Sequence, residues 1–195
     1  EESEKLISEY AKLEKDSKEQ LEKNEAEMKA IDDEIANYYE EQRRKDKEAK
    51  KQKQTQTAPV SNHGGFAWPV PGFSRISSGF TDCQGRSCMH GAIDIASTGG
   101  RCIYGANVVA SGSGTVIKVK YSNSGYGNNI IIDHGNGIST QYSHLSSIAI
   151  SQGQNVSRGQ VIGQVGSTGF STGPHLDFTF RVNGEKRNPL NYVHA

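Results

Sequence analysis

Nowhere in the 195 residues does an apolar run approach the roughly 20 residues needed to span a bilayer, and no signal-peptide pattern is present. No segment of this sequence reads as a membrane-spanning helix. Cysteine is scarce: three residues, too few for a disulfide-built scaffold and never in the C-x-x-C spacing of a zinc ribbon. Cys83 and Cys88 bracket a short Gln-Gly-Arg-Ser turn that a bridge could close, which leaves Cys102 either buried as a small apolar residue or pairing in place of one of them. A Ser-His-Asp order, a cysteine in a nucleophile context and a phosphate-binding glycine loop ahead of a helix are all missing, which removes three common catalytic classes. Net charge is missing too, with 22 Lys/Arg against 22 Asp/Glu.

That neutrality is the sum of two unlike parts. Glu1 to Gln54 carries 13 Lys/Arg and 17 Asp/Glu, net −4, whereas Thr55 to Ala195 carries 9 and 5, net +4. An acidic arm precedes a mildly basic, glycine-rich domain, and a basic surface of this kind attracts an anionic polymer such as bacterial wall, nucleic acid or acidic glycan. The first residues already read as the inside of a charged helix, the pattern of a segment cut from something longer.

From Leu6 to about Gln42 apolar residues recur at 6, 10, 13, 21, 24, 28, 31, 35 and 38, with Asn at 24, a 3-4 spacing that predicts a heptad seam. Ser17 stands where the seam would continue, so the phase shifts as in a stutter. Ser17, Asn24 and two tyrosines thin the stripe, and the expected state is a coiled coil, self-paired or with a partner helix, against a single helix held by i,i+4 ion pairs. Arg43 to Lys53 loses the apolar beat and turns basic, and Gln54 to Gly65 runs through Thr, Pro, Ser, Asn and Gly, the composition of a linker. The expected organisation is a helical segment over 1–53, a linker over 54–67 and a domain over 68–195.

Beyond Phe66 the texture becomes short apolar runs between Gly, Ser and Asn: Val108–Ala110, Thr115–Tyr121, Asn129–His134, Ile138–Tyr142, Val161–Val165 and His175–Val182. These predict strands joined by tight turns, with Gly112-Ser-Gly114 and Asp133-His-Gly-Asn-Gly137 as turn signals, hence an all-β domain. Within His175–Val182, alternation puts His175, Asp177 and Thr179 on one face and Leu176, Phe178 and Phe180 on the other. One face is core and the other is free for chemistry. In His90-Gly-Ala-Ile-Asp94 an extended chain likewise pairs His90 with Asp94 while Ile93 and Ile95 turn inward, and His144 follows Tyr142 in Gln-Tyr-Ser-His-Leu. A histidine and carboxylates sharing a face suit a divalent metal.

The series Ile76-Ser-Ser-Gly-Phe80, His90 to Asp94, Gly125-Tyr-Gly-Asn-Asn-Ile130, Ile132-Asp-His-Gly-Asn-Gly137, Tyr142-Ser-His-Leu145, Val156 to Val165, Gly166-Ser-Thr-Gly169 and Ser171-Thr-Gly-Pro-His-Leu176 resembles the lysostaphin/LytM-type zinc endopeptidases that cut peptide cross-links of bacterial peptidoglycan. The likeness runs over about residues 68 to 193. It implies an all-β peptidase domain, Zn²⁺ as cofactor held by His90, Asp94 and the residue at position 177, and His144 and His175 as catalytic, non-ligand histidines. It implies a location outside the cell or in the bacterial envelope, with peptidoglycan and not nucleic acid as the partner. Position 177 departs from the family, whose third ligand is histidine; here it is Asp177. Zinc accepts carboxylate oxygen, but two carboxylates with one imidazole neutralise the ion and weaken its Lewis acidity. A degenerate domain that binds wall peptide or activates a separate hydrolase through its coiled coil is the competing expectation, and a helix that docks on a membrane or division complex is a third. Tyr121, Tyr126 and Tyr142 are candidates to line a peptide groove, and the Ser167 to Pro174 loop to touch substrate. His63, His134 and His194 read as non-catalytic.

Overall fold

In the computed structural model, which describes residues 2–52, 65–80 and 90–195, a helix α1 (Glu2–Gln52) precedes a domain of strands. In chain order these are β1 (Phe66–Ala67), β2 (Arg75–Ser78), β3 (Ile93–Ala96), β4 (Asn107–Val109), β5 (Gly114–Lys120), β6 (Asn129–Gly135) and β7 (Ile138–Ser143). There follow β8 (Leu145–Ile148), β9 (Asn155–Val156), β10 (Val161–Val165), β11 (His175–Val182), β12 (Glu185–Arg187) and β13 (Val193–His194), with a 3₁₀ turn at Pro189–Asn191. The large sheet runs β2-β3-β11-β7-β6-β5-β9 with β12 added against β11, every pair antiparallel. A smaller antiparallel sheet, β4-β10-β8, packs across it, and β1 pairs in parallel with β13. The all-β domain behind a long helix is therefore present. β1 lies inside the stretch expected to be linker; most of that stretch, including His63, is outside the described residues, as are Cys83 and Cys88.

Alternation decides the layers. Leu176 and Phe178 of β11, Ile93 and Ile95 of β3, Ile130 and Ile132 of β6 and Tyr142 of β7 point toward the small sheet and meet Val108, Leu145, Ile162 and Val165 in one buried core. Burying side chains of this size stabilises by about 1.5–3 kcal/mol each. The opposite face of the same strands is polar: Asp177, Thr179 and Arg181 of β11 stand in register with Ser143, Gln141 and Ser139 of β7. Tyr142 belongs to the core, fully buried with its hydroxyl on the Ser111 N–H at 2.7 Å, so it does not line a groove. Cys102 is exposed, contrary to the expectation of burial, and has no disulfide partner among the described residues.

The polar face is covered in part by α1. Asn24, Ile31, Ile35 and Tyr39 are buried there, and Ile31, Ile35 and Tyr39 close a second apolar cluster with Tyr126 and Ile131. The downstream half of the expected heptad seam thus takes its own β domain as partner, while Leu6, Tyr10, Leu13 and Leu21 stay exposed. Asn24, which dilutes an apolar stripe, accepts the Gly125 N–H at 3.1 Å. Two glycines let the helix sit close: a Cβ on Gly125 would stand 3.2 Å from Met28 Cγ, and one on Gly184 3.2 Å from Ala36 Cα. Both have positive φ, so a side chain there would be strained as well as crowded. Charge adds to the fit, Lys118 pairing with Glu34 and Lys120 with Glu27, acidic arm against basic domain.

Candidate metal centre and its cleft

The metal-ligating atoms of His90, Asp94 and Asp177 lie within 4.8 Å of one another. Antiparallel pairing sets Asp177 of β11 directly opposite Asp94 of β3, and the segment entering β3 swings His90 onto both carboxylates, Nε2 at 3.1 Å from Asp94 Oδ1 and 3.3 Å from Asp177 Oδ2. Asp177 is 5 % exposed, and its Oδ1 has no hydrogen-bond donor among the described residues. A buried carboxylate oxygen without a donor is costly unless a cation meets it. One imidazole and two carboxylates, with an oxygen left over, fit a divalent ion with room for a further ligand. Burial alone pushes His90 down, but its hydrogen bonds to Asp177 and Asp94 and their charges outweigh this and raise it to about 10. Burial pushes Asp177 up, and the His90 bond with the nearby His144 and Lys186 reverses that, leaving the carboxyl below its usual range.

His144 and His175 stand beside this cluster with ring centroids 4.8 Å apart. His175 arrives by strand alternation. His144 does not, since in an unbroken strand it would follow Tyr142 into the core. It sits between β7 and β8 with φ +64°, a left-handed conformation that costs a non-glycine residue about 1–2 kcal/mol and re-aims its ring to the polar face. Its Nδ1–H donates to Thr168 O at 2.7 Å, and His175 Nδ1–H donates to Gly173 O at 2.8 Å. The loop from Ser167 to Pro174 therefore holds both imidazoles through its carbonyls. Burial, with His175 as a like-charged neighbour, keeps His144 below the usual histidine value despite the pull of Asp177. His175 Nε2 lies 3.6 Å from Asp94 Oδ1.

Two hollows meet at the cluster. One of about 580 Å³ runs from His90 and Asp177 along β11 to Arg181, roofed by Met28, Asp32 and Ala36 of the helix; the other, about 270 Å³, lies beyond Asp94 and His175 against Arg75 and Pro174. Tyr126 lines the larger one, whereas Tyr121 is exposed outside it. His134 is buried away from the cluster, bonded to Thr140 Oγ1 at 2.8 Å and Ser113 O at 3.0 Å, a structural role. His194 is exposed in β13. Sequence reading passed over Arg181, Lys186 and Asp32, although the alternation of 175, 177 and 179 continues to 181.

The sequence profile of peptidase family M23 matches residues 88–189, just over half the chain. The chain belongs to this family. Its M23 domain is 48% identical over 102 residues to the DD-carboxypeptidase/endopeptidase Mpg of Neisseria meningitidis, covering 52% of this chain and 22% of that protein. It is 34% identical over 137 residues to the murein hydrolase activator NlpD of Salmonella dublin, covering 70% and 33%. Among solved structures, a zinc-containing peptidase from Vibrio cholerae superposes with a TM-score of 0.56 at 35% identity, over 64% of this chain and 39% of that one. The chain spans between 22% and 33% of the length of the two curated relatives, so the M23 domain, and not a whole relative, is what is shared.

Proposed function

We propose that the chain is a zinc-dependent endopeptidase cleaving peptide cross-links of peptidoglycan in the bacterial envelope. One observation carries this: His90, Asp94 and Asp177 converge within 4.8 Å where two hollows meet, with the His144 and His175 rings tilted against each other beside them. His90, Asp94 and Asp177 would hold the ion. When bound, zinc supplies Lewis acidity to the scissile carbonyl and to water. The histidines handle protons. His144, its Nδ1–H committed to Thr168 O and its ring kept neutral by burial, offers Nε2 as an acceptor and suits the general base. His175 donates Nδ1–H to Gly173 O and turns Nε2 toward the cluster, 3.6 Å from Asp94 Oδ1, so it is placed to stabilise the oxyanion and to protonate the leaving amine. A peptide lying along the two hollows would place its scissile bond between them.

A second reading is favoured by two features. Asp177 stands where the family carries histidine, and α1 roofs the larger hollow. On this reading the domain binds wall peptide, or activates a separate hydrolase, and the exposed seam of Leu6, Tyr10, Leu13 and Leu21 joins a second copy or a division-complex helix. Metal content of the purified protein, with release of muropeptides from sacculi with and without chelator, separates the two. Stoichiometric zinc and chelator-sensitive release are expected; metal-free protein and no chelator-sensitive release would leave only the binding role.

A further inference from the structure

Arg181 is fully buried on the polar face of β11, and among the described residues its Nε and Nη1 have no hydrogen-bond partner. Its Nη2 donates to Asp32 Oδ1 of the helix at 2.5 Å. Lys186 Nζ reaches the other oxygen, Oδ2, at 2.7 Å, and donates to the Tyr126 hydroxyl at 2.9 Å. That hydroxyl in turn donates to the same carboxylate at 3.2 to 3.3 Å. Two cations and a phenol thus converge on a single carboxylate. A guanidinium binds a carboxylate best with two parallel N–H bonds, and leaving buried donors unsatisfied costs about 1–3 kcal/mol. Asp32 is therefore an imperfect occupant of a site built for a better one.

The site opens on the same hollow as the metal centre. Lys186 passes directly over Gly91, where a Cβ would stand 2.5 Å from its Cδ, so the residue next to His90 leaves room for the cation that holds Asp32. Arg181 follows Asp177 by four residues on the same strand face, about 13 Å at roughly 3.3 Å per residue. An extended peptide covers that distance in about four residues.

We propose that Arg181, Lys186 and Tyr126 form a carboxylate subsite of the cleft, filled in cis by Asp32, and that a peptide carrying a free carboxylate takes its place. Resting on the endopeptidase reading, this names the substrate: a peptide whose free carboxylate lies about four residues from the scissile bond. Ligand and helix compete, so entry of such a peptide releases Asp32.

The test uses the full chain carrying Asp32→Ala, kept metal-free with chelator so that binding is read without cleavage. By calorimetry and ¹⁵N side-chain spectra, the variant binds acetate, the group its substitution removes, and wild type does not. A tetrapeptide with a free C-terminal carboxylate, or one with an amidated end and an acidic side chain, binds the variant at least tenfold more tightly than the uncharged amide; which of the two does so identifies the carboxylate. Adding Lys186→Met, at a partly exposed position, removes the preference. Equal affinity for acid and amide, or a preference that survives Lys186→Met, overturns the subsite. Discrimination without any cleavage by the metal-loaded protein upholds the subsite and refutes the endopeptidase reading; cleavage of acid and amide peptides with equal kcat/KM does the reverse.

Discussion

At the scale of single residues the proposed function turns on Asp177. Its side chain is buried, faces Asp94 across the strand pair and keeps one oxygen without a donor among the described residues, an arrangement that a bound cation would stabilise. Asp177→Ala is expected to lose retained zinc, measured by metal analysis after dialysis, while the core beneath keeps its packing; unchanged zinc content would remove Asp177 from the ligand set. His144 is different in kind, because on the proposed mechanism it handles protons without holding the ion. His144→Ala is expected to lower kcat by about 10²–10⁴, the range for a lost general base or acid, with zinc content unchanged. A parallel loss of metal would make it a ligand instead.

At the scale of the element, α1 divides at about residue 24. Downstream, Ile31, Ile35 and Tyr39 are each 3 % exposed against the β domain. Ile35→Ala is expected to cost about 2–4 kcal/mol of helix docking, seen as faster amide exchange over residues 24–42 while β6, β7 and β11 keep their protection. Glu27 adds a pH dependence. Hydrogen bonds from Lys120 and Ser124 outweigh its burial and hold its carboxyl down to about 2. A depressed carboxylate contributes docking stability above its ordinary value of about 4.3 and loses it as pH falls toward about 2. Both partners are partly exposed, so the contribution is about 1 kcal/mol. Helix protection factors, exchange rates corrected for the intrinsic rate at each pH, should therefore fall between about pH 4.3 and about 2 in wild type and less so in Glu27→Gln; an identical profile would show that the ion pair contributes nothing.

At the scale of the whole molecule, the sequence joins an arm of net charge −4 to a part of net charge +4, and the contacts of the docked half of α1 include Lys118–Glu34, Lys120–Glu27, Arg181–Asp32 and Lys186–Asp32. Exposed pairs weaken as salt shortens the Debye length from about 10 Å at 0.1 M to about 3 Å at 1 M, whereas apolar burial does not. Helix exchange is expected to rise severalfold between 50 mM and 500 mM NaCl while the β domain is unaffected. An unchanged rate would assign the docking to Ile31, Ile35 and Tyr39 alone.

The strands, the core face and three of the five proposed site residues, Asp94, His175 and Asp177, were legible because side-chain direction in a strand has period two: once Leu176 and Phe178 go inward, His175 and Asp177 must face out, whereas His90 lies ahead of β3 and His144 between β7 and β8. The composition step at the linker and the 3-4 spacing of the helix were legible for the same local reason. The sequence by itself determined these elements and their faces, and through its ordered motifs the family. Only the tertiary structure decided which partner the helix seam meets, that Tyr142 is core, that His144 is turned to the site by a left-handed backbone, and that Asp32 reaches Arg181 across 149 positions of chain. The reason is physical. Local sterics and periodicity act over a few residues, whereas which polar groups share a cleft follows from how the helix and two sheets close on one another, and no local pattern encodes that meeting.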